Sequence, residues 1–224
     1  DDIRLSLLKK GILITFEGPD GSGKTTQLQR LAASLEQSGY RIITTREPGG
    51  TPISDQIREL LLSPDNKAMN AHAEALLMAA SRAQHVHELI IPALQDGYIV
   101  LCDRFVDASI AYQAAGLGLD ETHVQAMNEF AVQGVRPART YLLDISVEAG
   151  RKRMQDRFKS SGVQLDRIEQ KDSAYHERVR KAFLRLAKSD PKRICLLQAE
   201  RSPDDIFADI YADCQRLLRE LSVQ

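Results

Sequence analysis

The chain has 224 residues, 43% of them hydrophobic and 27% charged, the make-up of a globular protein able to close one sizeable core. Lys plus Arg is 30 and Asp plus Glu is 31, a formal net charge of −1, so no global field draws the chain to nucleic acid or to an anionic membrane, and any grip on anions has to be local. Cys102, Cys195 and Cys214 stand far apart with no CxxC pair, which excludes a disulfide framework or zinc knuckle and suits a reducing cytoplasm. The opening "DDIRLSLLKKG" has neither the basic start nor the long apolar run of a secretion signal, and no later stretch has membrane-spanning length.

In chain order, "GILITFEG" reads as a strand, "GPDGSGKT" as a glycine-rich turn, "TTQLQRLAASLEQSG" as a helix and "RIITTREPGG" as a second strand running into a turn. Helical spacing of apolar residues follows over 53–62 and over 71–95, the latter one long helix with a bend or break at Pro92. "YIVLCD" is the third strand, 107–115 and 120–133 are helices, and "TYLLDIS" is the fourth strand. A helix over 147–158 leads into the polar, unpatterned "FKSSGVQLDRIEQKDS", expected to be a mobile loop. Helix 174–188, strand "RICLLQA" and helix 203–221 complete the chain. Continuously apolar strands have no solvated face, so they belong in a parallel sheet wrapped by helices. The expectation is a single domain over 1–224: a three-layer α/β P-loop NTPase fold with a five-stranded parallel sheet and a short lid at about 151–171.

Gly18, Gly23, Lys24 and Thr25 fit the pattern GxxxxGK[ST], placed as its mechanism requires between a strand and a helix. In such a loop, here Gly18, Pro19, Asp20, Gly21, Ser22, Gly23, Lys24, Thr25 and Thr26, backbone N–H groups and the helix dipole face the phosphates of ATP. Lys24 reaches the β and γ phosphates, and the Thr25 hydroxyl faces Mg²⁺. Asp103, at the end of a buried strand, is the second expected Mg²⁺ anchor, with Arg104 beside it.

The acceptor is read from other signals. There is no Asn-Lys-x-Asp loop for guanine, no His-Arg-Asp and no Asp-Phe-Gly. A hydroxyl acceptor needs a base, whereas a phosphate monoester is already an oxyanion and needs only alignment and charge neutralisation. Arg46, Arg58, Arg82 and Arg104 all fall near strand ends or on helices that can face the loop.

The set "FEGPDGSGKTT", "TREPGG", "AASRAQH", "DRFVDASIAYQ" and "LDRIEQ" resembles thymidylate kinase, in matching order from about residue 11 to 221. The resemblance implies transfer of the γ-phosphate of ATP to dTMP, with Mg²⁺, in a cytoplasmic homodimer built through helices, the long apolar one among them. It places Asp20 at the sugar hydroxyl or the Mg²⁺ network, Glu47 and Pro48 in the wall of the dTMP pocket with a cis peptide at the proline, and Arg58 and Arg104 on the dTMP phosphate. It further places Arg82 over the pyrimidine, Ser109 and Gln113 at the thymine edge, and Tyr112 under the deoxyribose, although core packing is an equal reading of that tyrosine. Met78 stands where many relatives carry Phe, which leaves base selectivity open to another pyrimidine nucleotide or a deoxynucleoside. A switch that binds ATP without transfer is the remaining alternative. No basic residue lies between Gly18 and Gly23, as in the family branch that carries its catalytic cation on the lid; the candidates are Arg157 first, then Arg153 and Arg167.

Overall fold

The computed structural model describes residues 10–222; most of the opening stretch in which a secretion signal was sought lies outside them. The central strand β1 (Ile12–Glu17) has five of its six residues buried. It is flanked on one side by β3 (Ile99–Asp103) and β2 (Ile42–Arg46), on the other by β4 (Pro137–Asp144) and β5 (Ile194–Gln198). All pairings are parallel and the order is β2-β3-β1-β4-β5. The five-stranded sheet and its two helical layers match the expectation.

One face carries α1 (Lys24–Gln37) and α9 (Pro203–Ser222), packed on Ile14, Phe16, Tyr141 and Leu143. The opposite face buries Val86, Ile90, Val100, Cys102 and Phe105 together, and α8 (Ser173–Ser189) closes a further cluster around Leu142. Complete burial of a side chain such as Phe16 contributes about 1.5–3 kcal/mol. No helix of the described residues is long and apolar enough to cross a membrane. The remaining helices are α2 (Pro52–Leu62), α3 (Ala71–His85), α4 (Ile91–Gln95), α5 (Val106–Ser109), α6 (Glu121–Val132) and α7 (Val147–Ser161).

Three expectations are corrected. The helix read over 71–95 is interrupted by a π-helical turn at Val86–Ile90 before α4. Pro92 has no N–H to donate and crowds the carbonyl four residues back, and the wider turn relieves both. A second π-helical segment, Ile110–Gly116, replaces the regular helix expected over 107–115. The polar stretch after residue 157 is not all loop: α7 continues to Ser161, and Asp166 closes a turn by accepting the N–H groups of Ile168 and Glu169.

The chain leaving β1 returns in β2, beyond β3, while the chain leaving β3 returns in β4, beyond β1. The two connections therefore part to opposite sides, and the crevice outside the carboxyl ends of β1 and β3 is where such sheets bind ligands. Both Gly18 and Arg104 emerge there.

Candidate active site

A cleft of about 550 Å³ opens at this point. On one side, β1 gives way to the glycine-rich loop. Gly18 has φ 135, and a Cβ there would lie 2.3 Å from the carbonyl oxygen of Leu143, so no other residue fits. The first turn of α1 receives no side-chain cap from Gly23, which leaves its N–H groups turned toward an anion. Lys24 Nζ lies 3.4 Å from Asp103 Oδ1, and the Thr25 hydroxyl donates to Asp103 Oδ2 at 3.1 Å. Burial works against the charged form of Asp103, but Lys24 and then Arg104 outweigh it and hold the carboxyl below its usual range.

Thr25 and Asp103 form a pair of hard oxygen donors, and Asp103 Oδ1 makes no hydrogen bond of normal geometry among the described residues. Two such groups fit Mg²⁺, which keeps most of its shell as water and phosphate oxygen. No cluster of three or more His, Cys, Asp or Glu among the described residues offers an all-protein metal cage.

Arg104 projects between this loop and the deeper cleft. It donates to the Gly18 carbonyl at 2.9 Å and to Asp20 Oδ1 at 3.1 Å, and its guanidinium sits 4.9 Å from the Tyr112 ring centroid. Burial would lower its pKa, but the surrounding Tyr112, Asp20, Asp103 and Glu17 keep it raised, so it is a permanent cation. Asp20 is held below its usual range in turn, the Arg104 and Lys24 charges outweighing its burial.

Deeper in, the Glu47–Pro48 peptide is cis and the Pro48 carbonyl accepts from Arg58 at 2.7 Å. Burial and the neighbouring Arg46 push Arg58 below the ordinary arginine range. Two guanidinium groups crowded at one wall of the cleft suit a dianion. Gly50 (φ 102) turns the chain back beneath this wall, where a Cβ would meet the His85 ring at 2.5 Å.

Arg82 forms the end wall. It donates to Glu47 Oε1 at 2.6 Å, Ser109 Oγ at 2.8 Å, the Phe105 carbonyl at 2.9 Å and Asn128 Oδ1. His85 holds the other Glu47 oxygen at 2.8 Å through Nδ1 and Thr45 Oγ1 at 2.7 Å through Nε2. With Glu47 ionised, Nδ1 must carry the proton. Burial would raise the Glu47 carboxyl, yet Arg82 and His85 bring it below its ordinary value of 4.5. Gln113 donates to Glu74 at 3.0 Å, Met78 lines the same wall, and the buried Tyr112 hydroxyl has no hydrogen-bond partner among the described residues.

The structure therefore brings Asp20, Lys24, Thr25, Glu47, Pro48, Arg58, Met78, Arg82, Asp103, Arg104, Ser109, Tyr112, Gln113 and Arg157 to one cleft. Arg157 reaches it from α7 and pairs with Glu169 at 3.3 Å. Arg153 lies outside it, joining the Gly21 carbonyl at 3.1 Å to the Ala199 carbonyl at 2.9 Å. Arg167, read as a lid cation, is corrected: it is not among the residues that line the cleft, and it is buried and donates to the Leu61 carbonyl at 2.7 Å and to Glu74 at 2.5 Å, so its charge is met by Glu74. Sequence reasoning assigned no site role to His85, Asn128 or Glu74. His85 lies three residues from Arg82 on one helical face, the only local signal that both would meet Glu47.

A family model described as thymidylate kinase matches residues 16–210. The chain is 53% identical over 200 residues to a thymidylate kinase of an Exiguobacterium species, covering 89% of this chain and 92% of the relative. It is 50% identical over 202 residues to the thymidylate kinase of Halothermothrix orenii, covering 90% and 95%. The crystal structure of thymidylate kinase from Ehrlichia chaffeensis superposes with a TM-score of 0.74 at 31% identity, over 92% of this chain and 99% of that one.

Proposed function

The chain belongs to the thymidylate kinase family, and on that premise we propose that it transfers the γ-phosphate of ATP to dTMP, giving ADP and dTDP. The observation that carries this reading is that Lys24 and the open turn of α1 share one cleft with Arg58 and Arg104. Two polyanions are thereby received end to end. The loop amides and Lys24 hold the ATP phosphates, Arg58 and Arg104 hold the acceptor phosphate, and Arg157 approaches from the lid to meet the charge developing on the transferred group. Asp20, Glu47 and Asp103 are each already bound to cations, which suits an acceptor that arrives as an oxyanion and needs no proton removed. Thr25 and Asp103 would hold Mg²⁺, which neutralises phosphate charge when bound.

Arg82 uses four of its N–H groups within the protein, and about five are available on a guanidinium, so one remains to read a base carbonyl. Met78 offers the base a flexible thioether face. The surface also supports a homodimer. Helix α3 packs between α2 and α6, and these three helices expose Ile53, Leu60, Leu76 and Phe130, the last 87% exposed; a second copy would cover them.

The test is product analysis with ATP, Mg²⁺ and each of dTMP, dUMP and dCMP. One dTDP per ADP with dTMP, abolished by a chelator, is expected. Slow ATP hydrolysis that dTMP does not alter contradicts the reading and favours a nucleotide switch.

A further inference from the structure

Arg104 is a non-glycine residue in the left-handed region, with φ 71, a conformation that persists only where its surroundings impose it. Three hydrogen bonds fix the turn. The Arg104 N–H donates to the Phe16 carbonyl at 2.9 Å, the Cys102 thiol donates to the Arg104 carbonyl at 3.1 Å, and the Phe105 N–H donates to Glu17 Oε1 at 2.7 Å. The last partner is unusual. Glu17 ends β1, is fully buried, and its Oε2 has no hydrogen-bond partner among the described residues. A carboxyl desolvated in this way is costly, and among the described residues the one hydrogen bond it makes is to the peptide that follows Arg104.

We infer that Glu17 is a positioning residue: its carboxyl holds the Arg104–Phe105 peptide in the left-handed turn and so aims the Arg104 guanidinium between the glycine-rich loop and the acceptor cleft. The inference rests on the kinase reading for its kinetic consequence, not for its geometry. Arg104 reaches Gly18 and Asp20 from this turn; with the peptide released, φ is expected to relax to a negative value and the side chain to leave the cleft. The chemistry of Glu17 suits the task. Burial, then Asp107, lift its carboxyl to about 8 against the opposing pull of Arg104, the Phe105 N–H and Lys24. Asp107 is itself paired in two hydrogen bonds to Arg193, at 2.7 and 3.0 Å. The shift of Glu17 favours the neutral acid, which accepts through its carbonyl oxygen, and a glutamine side chain matches that form in length, charge and acceptor.

The experiment measures kcat/KM for dTMP in E17M and E17Q, each in the wild-type and R104A backgrounds, beside thermal denaturation. E17M, of similar length without an acceptor, is expected to lower kcat/KM about 30-fold, and E17Q to recover at least about 10-fold of that loss. In the R104A background E17M is expected to cost less than about 3-fold, because residues acting through one another are not additive. L217A, a core truncation between α1 and α9, is expected to lower the melting temperature while leaving kcat/KM unchanged, which separates aim from general destabilisation. Should E17M not fold, E17N serves, one methylene too short to reach the Phe105 amide. Equal losses in both backgrounds, or an E17Q as impaired as E17M, overturn the inference. A crystal structure of E17M with Arg104 still at positive φ overturns it whatever the activity. Failure of the kinase reading itself is recognised separately, as wild-type protein that forms no dTDP, and the Arg104 conformation in E17M then decides the matter alone.

Discussion

Arg82 is anchored by four hydrogen bonds to Glu47, Ser109, Phe105 and Asn128, and the carboxylate that fixes it is fixed in turn by His85. Removing charge from such a buried pair leaves the partner uncompensated, so E47Q is expected to lower stability by about 3 kcal/mol at pH 7. The pH dependence has a defined sign. Glu47 titrates lower in the folded state than its ordinary 4.5, so its contribution is complete above that value and is lost as pH falls through the lower folded value. Urea denaturation of wild type and E47Q across pH is expected to show a gap that narrows only below about pH 4.5; a gap constant with pH contradicts the ionised pair. Arg58 is bound in the protein through the Pro48 carbonyl and keeps its charge for a ligand. R58A is expected to raise KM for dTMP about 10- to 100-fold with a smaller change in kcat.

At the scale of elements, the segment proposed as a lid divides into an anchored end and a reaching end. Arg167 ties its turn to the end of α2 and, through Glu74, to α3, with the Arg167 N–H also donating to the Leu62 carbonyl at 3.0 Å. Arg157, 46% exposed, is held among the described residues by Glu169 alone, which leaves it able to turn toward the proposed position of the γ-phosphate. R157A is therefore expected to lower kcat by about 100-fold with dTMP affinity within about 3-fold of wild type. R167M is expected to lower the melting temperature more than kcat, since it strands buried Glu74; the reverse ranking would place the catalytic cation at Arg167. This division was not legible in the sequence. Arg157 and Arg167 look alike there, and what separates them is the partner Glu74, far away in the chain. The strands, the glycine-rich loop and the strand-end Asp103 were legible, because each is fixed by local spacing. Pro92 announced a disturbance but not its form, since a π-helical turn depends on how the preceding helix packs. Glu17, Asn128 and His85 could not be assigned roles, because buried polar partners meet only when β1, β3, α3 and α6 assemble.

At the scale of the molecule, one parallel sheet places the loops after β1 and β3 side by side and the loop after β2 next to them, so strand order fixes where the proposed donor and acceptor sites meet, and helices α2, α3 and α7 supply arginines to them. The apolar side chains left outside on α2, α3 and α6 make a second copy the expected partner. Sedimentation should give twice the 25.0 kDa chain mass, and the double substitution L76E/F130E should return it to a single chain; a wild-type monomer contradicts the shared face. The central proposal is narrower: the cleft aligns two phosphates and supplies charge, and transfer calls on none of its carboxyl groups, Asp166 and Glu169 included, to take a proton from an alcohol. The most direct measurement is kcat/KM for dTMP against thymidine with ATP and Mg²⁺. A ratio above about 1,000 in favour of dTMP is expected, since thymidine lacks the anion that Arg58 and Arg104 bind and brings a hydroxyl that must lose its proton. Comparable turnover of thymidine contradicts transfer by alignment and charge alone.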